Sequence, residues 1–195
     1  VLLYFYTYCC STCINTLKEM KKLEKKYPNN LVVIGVHSAK FETEKESENI
    51  AEAVLRYEIE HPVVNDWEHE IWRKYRVTSW PTLFMLDPEG KAVLKTSGET
   101  KADAIAEILD VAIPYYRQQG LLIESPFELD LLANHQEETP LRFPGKVLAD
   151  EATDRLYISD SNYNRIVVAT LDGKLIDVIG SGEIGRADGD YASAS

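Results

Sequence analysis

Three cysteines are all that the 195 residues contain, and they stand at positions 9, 10 and 13. One such cluster cannot spread a disulfide framework over a fold, so the chain is not built as a small secreted disulfide scaffold. Long apolar runs are also lacking: none reaches the roughly 18–20 residues of a membrane span. Basic residues are in deficit, 21 Lys and Arg against 32 Asp and Glu, for a net charge of −11. That argues against non-specific nucleic-acid binding, which clustered cations carry, and against docking on an anionic membrane. There is no Gly-rich phosphate loop and no nucleophile elbow, and no cofactor is expected. What remains, 45% hydrophobic and 27% charged residues, is the composition of an ordinary soluble globular chain.

The chain opens "VLLYFYTY", without a basic n-region or an Ala-x-Ala cleavage site, so no signal peptide is read there. It has no initiator Met, and Val1 already reads as the middle of a strand. The start is therefore taken as a cut, which leaves an upstream targeting segment open. A cytoplasmic location is expected, with a periplasmic or secreted one as the alternative.

Residues 1–7 are apolar, aromatic and β-branched, which predicts a buried strand. "STCINTLKEMKKLEKKY" follows, with Ile14, Leu17, Met20 and Leu23 at helical spacing and lysines opposite. "LVVIGVHS" (31–38) predicts a second buried strand. "ETEKESENIAEAVLRYEI" predicts a helix with Ile50, Ala53, Val54 and Tyr57 on one face and a solvated start at "ETEKESEN". "HPVVND" is strand-like and "WEHEIWRKYRV" helical, with Trp72 and Tyr75 as core. After Trp80-Pro81, "TLFMLD" and "KAVLKTSG" flank a turn at Pro88-Glu89-Gly90 and read as a β-hairpin. A last helix runs to Gly120, with Thr100 as its N-cap and Pro114 as a kink. The order β-α-β-α-β-α-β-β-α predicts an α/β fold: a parallel sheet between helices, ending in an antiparallel hairpin.

From about residue 121 the texture changes. Residues 121–145 lack a clean period, are interrupted by Pro126 and Pro140, and read as a linker. Residues 146–180 then hold four short β-prone stretches separated by Asp-, Asn- and Gly-rich turns, Asp172-Gly173 being a strong hairpin signal. Four antiparallel strands in so short a span are one propeller-blade-sized sheet. A single blade cannot bury both its faces, so the chain is expected to continue toward further blades. Residues 181–195 form a Gly- and Ser-rich tail.

Three uses of the thiols compete. A zinc site usually takes four ligands, commonly in two separated pairs, whereas the histidines at 37, 61, 69 and 135 show no ligand spacing; no metal is expected. A staple across Cys10–Cys13 would constrain little chain entropy. Redox chemistry fits the position. A thiolate at a helix N-terminus is stabilised by free N–H groups and the helix dipole. Cys10 is then the attacking thiol, and Cys13, one turn further in, resolves the mixed disulfide. Cys9 is either an inert strand-end side chain or a competitor in exchange.

The strand, Cys10-Ser11-Thr12-Cys13, helix order and the later Trp80-Pro81-Thr82 resemble the thioredoxin-like superfamily. "TYCCSTC", "IGVHSAKF", "AVLRYEIEHPVVND", "SWPTLFML" and "FPGKVLADEATDRLYISDSNYNRIVV" narrow this to a resemblance to the NHL repeat-containing protein 2 family. Its members join a thioredoxin-like domain to an NHL β-propeller. The resemblance implies a thioredoxin-like three-layer sandwich over residues 1–120 and a first blade over 146–180, with Asp160, Arg165 and Ile166 on recurrent repeat positions. It also implies a cis Pro81 and a substrate-binding surface at Trp80, Pro81 and Thr82. Departures stand beside it. Ser11-Thr12 replaces the family's Ile-Asn, Cys9 replaces the Trp of ordinary thioredoxins, Tyr4 occupies the place of a buried Asp, and Tyr163-Asn164 replaces an Asn-His pair.

The expected function is thiol–disulfide exchange with protein or small-molecule thiols and disulfides, with the propeller portion binding a protein partner. A redox-poor thioredoxin-like scaffold serving as an interaction module is the alternative, and a peroxidase-like thiol sensor a third reading. His37, at the end of the second strand, reads as a structural histidine.

Overall fold

Leu2–Tyr6 forms the first strand, β1, and every one of its residues is buried. A strand covered by helices on both faces needs a continuous apolar run rather than alternation, and "LLYFY" supplies it. The computed structural model describes residues 1–123 and 129–195. Residues 124–128, with Pro126 of the segment read as a linker, lie outside the described residues. The chain divides into two units, Val1–Gln136 and Glu137–Ser195.

In the first unit, α1 (Ser11–Lys26), β2 (Val33–His37), α2 (Ser47–Arg56), β3 (Val63–Asn65), α3 (Glu70–Lys74), β4 (Thr82–Leu86), β5 (Ala92–Ser97) and α4 (Ala102–Gln118) follow β1. The sheet order is β3-β2-β1-β4-β5. β1 pairs parallel with β2 and β2 with β3, whereas β4 runs antiparallel to β1 and β5 to β4. The three-layer α/β sandwich with a terminal hairpin is thus present. Alternation along β1 sorts the core. Leu2, Tyr4 and Tyr6 pack with residues of α1, α2 and α4, while Leu3 and Phe5 pack with Val36, Val77 and Phe84 beside α3.

Several local expectations are corrected. The buried stripe of α1 is Cys13, Thr16, Leu17, Met20 and Leu23, with Ile14 only half-buried. α2 ends at Arg56, and Glu58 takes a left-handed φ of 50° while the Ile59 N–H reaches the Val54 carbonyl. That turn throws Tyr57 to the surface and puts Ile59 in the core instead. Thr100 does not cap α4; its hydroxyl bonds Gly98, and the free Ala102 N–H is taken by Glu19 of α1 at 2.9 Å. A carboxylate from a neighbouring helix does the work of a local cap. Residues 67–69 form a turn rather than helix, and the Asp66 carboxylate accepts the Ile71 and Trp72 N–H groups, both at 2.9 Å, to start α3.

In the second unit, β6 (Pro144–Asp150), β7 (Arg155–Asp160), β8 (Arg165–Ala169) and β9 (Leu175–Ile179) form one antiparallel sheet in sequence order. Gly173, with φ 90°, makes the last turn. Apolar side chains such as Val147, Leu148 and Leu175 stand exposed on this sheet.

Candidate active site

β1 stops at Tyr6 and α1 begins at Ser11, so Thr7–Cys10 make a tight passage at the carboxyl end of the central strand. Cys10 has extended backbone angles and is the N-cap of α1, its Sγ accepting the Cys13 N–H at 3.3 Å. A sulfur thus does what a Ser or Asp oxygen ordinarily does at this position. The Thr12 hydroxyl lies 3.2 Å from the same sulfur. Cys10 is half-exposed, Cys13 fully buried and Cys9 exposed. Partial burial works against the Cys10 thiolate. Hydrogen bonds from the Cys13 and Thr12 side chains and N–H groups outweigh it and bring the thiol below its ordinary value. Burial pushes the Cys13 thiol well up, and its proximity to Cys10 pushes the same way. One thiol is therefore accessible and easily ionised, the other hidden and reluctant.

Tyr4, where the resemblance implies an acid, is buried and donates its hydroxyl to the Cys13 carbonyl at 2.7 Å. Burial raises its titration far above the physiological range, so it orients the helix start and cannot serve as a base for Cys13. His37 ends β2 with its Nε2 accepting the Tyr8 N–H at 3.3 Å, and its ring stacks on Tyr8 with centroids 5.2 Å apart. It is a buried histidine inside the wall behind the cysteine turn.

Desolvation holds His37 neutral, with a pKa of about 4 against 6.5. Its contribution to stability is fully present above pH 6.5 and lost as the pH falls toward 4, because the unfolded chain takes the proton first. The difference amounts to about 3 kcal/mol. Urea midpoints of the wild type are expected to drop across that window, and those of His37→Gln to stay level until carboxylates protonate at lower pH. Parallel curves for the two proteins would remove His37 from this role.

Glu44 is the residue that sequence reasoning misplaced. The charge run "ETEKESEN" reads as solvated, yet Glu44 lies in a short 3₁₀ turn (Glu42–Glu44) ahead of α2 and is fully buried. Its Oε2 accepts the Lys40 and Phe41 N–H groups at 2.7 and 2.8 Å. Its Oε1 accepts the Cys9 N–H at 3.1 Å and the Thr7 hydroxyl. Burial alone would raise its titration, but these donors outweigh it and hold the carboxyl below the usual range. A buried anion persists only when so surrounded. The alternation of acids and lysines in the sequence gives no sign of which acid turns inward.

The third element of the site comes from β4. The β1–β4 register pairs Phe5 with Thr82, the residue that follows Pro81. The Trp80–Pro81 peptide is cis. Trp80 is half-buried, its indole N–H bonding the Ser38 carbonyl at 2.9 Å and its ring 4.4 Å from that of Trp72. Thr82 is buried with its hydroxyl between Ser79 O and Ser97 Oγ, at 2.8 and 2.9 Å. Cys10, Cys13 and Trp80 belong to one packed cluster. No group of three or more metal-ligating side chains stands together among the described residues, and among them no helix is long and apolar enough to cross a membrane.

Residues 1–92 match the sequence model of a family described as thioredoxin-like. Over its whole length the chain is 40% identical to NHL repeat-containing protein 2 of Homo sapiens across 197 aligned residues, but it spans only 27% of that relative. Over 58% of the chain it is 27% identical to the thiol-disulfide oxidoreductase ResA of Bacillus cereus, covering 64% of that protein. Among solved structures, the exposed lipoprotein thioredoxin of Streptococcus pneumoniae superposes with a TM-score of 0.50 at 28% identity, covering 56% of this chain and 82% of that one.

Proposed function

The first unit is a thioredoxin-like domain, and from that premise we propose that it is a thiol–disulfide oxidoreductase in which Cys10 attacks and Cys13 resolves. The observation that carries this is the sulfur of Cys10 at the helix N-cap, half-exposed and receiving the N–H of a buried Cys13. The Cys10 thiolate attacks one sulfur of a substrate disulfide, forming a mixed disulfide and releasing the other sulfur as a thiolate. Deprotonated Cys13 then attacks the Cys10 sulfur, expelling the second substrate thiolate and leaving a Cys10–Cys13 bond. Two electrons pass to the substrate; run backwards, the same steps oxidise a dithiol. Trp80, Pro81 and Thr82 are the proposed substrate edge, through backbone groups rather than the occupied Thr82 hydroxyl.

Protein or small-molecule disulfides are the substrate class. Residues 146–180 are proposed as the first blade of an NHL-type propeller, reached through a linker at 121–145 and followed by a tail toward the next blade. In the longer protein that propeller would hold a protein partner. The interaction-module reading is favoured by Tyr4, a buried neutral donor that cannot act as a base for Cys13.

Equilibration with thiol–disulfide couples of graded potential, followed by peptide mass mapping, separates the two. The expected result is a reversible two-electron transition with the bond mapped to Cys10–Cys13. A bond through Cys9, or no bond at any potential, would overturn the oxidoreductase assignment.

A further inference from the structure

Cys9 stands next to the attacking thiol, and an exposed neighbouring cysteine would ordinarily compete in exchange. Both loops that border Cys10 converge on one buried carboxylate. The Thr7–Cys10 turn reaches it through the Thr7 hydroxyl and the Cys9 N–H, and the loop after β2 through the N–H groups of Lys40 and Phe41. That second loop also carries Ser38, which receives the Trp80 indole. The geometry points to Glu44 as a positioning residue of the thiol site, one that clamps these two loops together and withdraws Cys9 from exchange so that the reaction runs through Cys10. The inference rests on the oxidoreductase reading and assigns a role to the third thiol.

The chemistry follows from what faces each group. The Cys9 N–H bonds Glu44 Oε1 at 3.1 Å, which sets the carboxylate beside residue 9, with Tyr8 and Lys40 as the other groups acting on its thiol. Glu44 is faced by Thr7, Cys9, Tyr8, the neutral His37 and the two backbone donors. A carboxylate held close to a thiol favours its protonated form. Partial desolvation and the neighbouring Glu44 carboxylate together raise Cys9 above its ordinary value, with Lys40 opposing them. Cys10 instead has its sulfur at the α1 N-terminus, accepting the Cys13 N–H at 3.3 Å with the Thr12 hydroxyl 3.2 Å away. Nucleophilicity is thus divided between two adjacent residues by a carboxylate on one side and a helix start on the other.

The test is site-resolved alkylation. The whole chain, reduced, is treated with iodoacetamide across pH 6–10, and the adducts on Cys9 and Cys10 are quantified by mass spectrometry for the wild type and Glu44→Gln. Glutamine has one acceptor oxygen and an NH₂ donor, so it cannot serve both loops and carries no charge. The expected result is a Cys9-to-Cys10 ratio in Glu44→Gln raised about tenfold at pH 7, with the Cys9 profile moved to lower pH. A folded variant with an unchanged ratio and profile would overturn the proposal. Should the variant not fold, the wild type still decides: Cys9 reacting as fast as Cys10 at pH 7 overturns it, and Cys9 lagging supports it. Alkylation needs no disulfide partner, so failure of the oxidoreductase reading would appear separately, as a Cys10–Cys13 bond that does not form.

Discussion

Cys10→Ser is expected to lose exchange with a small aromatic disulfide by at least about a hundredfold, roughly 2.7 kcal/mol of barrier, and Cys13→Ser to stop halfway. A serine hydroxyl at the helix N-cap keeps the hydrogen bond from the residue 13 N–H, so the fold has no reason to change. It is not ionised at neutral pH and does not attack sulfur. In Cys13→Ser the first attack proceeds and the second cannot, so one equivalent of mixed disulfide on Cys10 accumulates and turnover ends. An intact-mass measurement reads both results. Full exchange in Cys10→Ser, or multiple turnovers in Cys13→Ser, would move the chemistry to Cys9.

The two thiols also set different pH dependences. Cys10 is lowered by the donors of the helix start, so its alkylation levels off below the pH of an ordinary thiol. Cys13 is raised by burial and by its neighbour, so the resolving step keeps accelerating with pH, by about tenfold per unit while the thiolate is the minor form. Tyr4, a neutral donor rather than a base, does not supply that proton acceptor. Under the proposed mechanism, resolution is expected to be the slow step at neutral pH and mixed disulfide the species that builds up, which quenched intact-mass spectra during turnover would read.

The frame of this site was legible because its signals are local. A buried apolar strand, a sulfur at the following helix start and a Trp-Pro ahead of a hairpin each declare themselves within a few residues. The same holds for the second sheet, whose four strands are separated by turns of plain chemistry. What stayed hidden depends on contacts between segments far apart in the chain. Glu44 reads as one acid among several in a solvated run, and only the fold brings Thr7 and Cys9 to it, 37 and 35 residues away. Glu19 replaces Thr100 as the α4 cap from 83 residues away. Tyr57 fits a helical stripe on paper and leaves it because the chain turns left-handed at Glu58. Periodicity records which side of an element is apolar; it does not record where the element stops or which polar group is pulled beneath the surface.

In the second unit the largest expected effect belongs to Asp160→Ala. Asp160 is fully buried at the end of β7, its Oδ2 accepting Arg165 Nε at 2.8 Å and its Oδ1 the Arg142 N–H at 2.6 Å. Arg165 passes on to the Pro140 carbonyl at 2.8 Å and lies over the Tyr163 ring at 4.6 Å. The turn between β7 and β8, left-handed at Asn164, is therefore tied to the start of β6 through one carboxylate. Removing one partner of a buried ion pair costs about 3–5 kcal/mol. The Arg165 side chain is 28% exposed, which puts the expectation at the lower end, about 3 kcal/mol. Hydrogen exchange of the whole chain measures this locally: amides of β7 and β8 should exchange roughly a hundredfold faster, while those of β1 and β2 keep their protection. Unchanged protection in β7 and β8 would mean that strand pairing alone holds the sheet and that the Asp160–Arg165 pair only decorates its end.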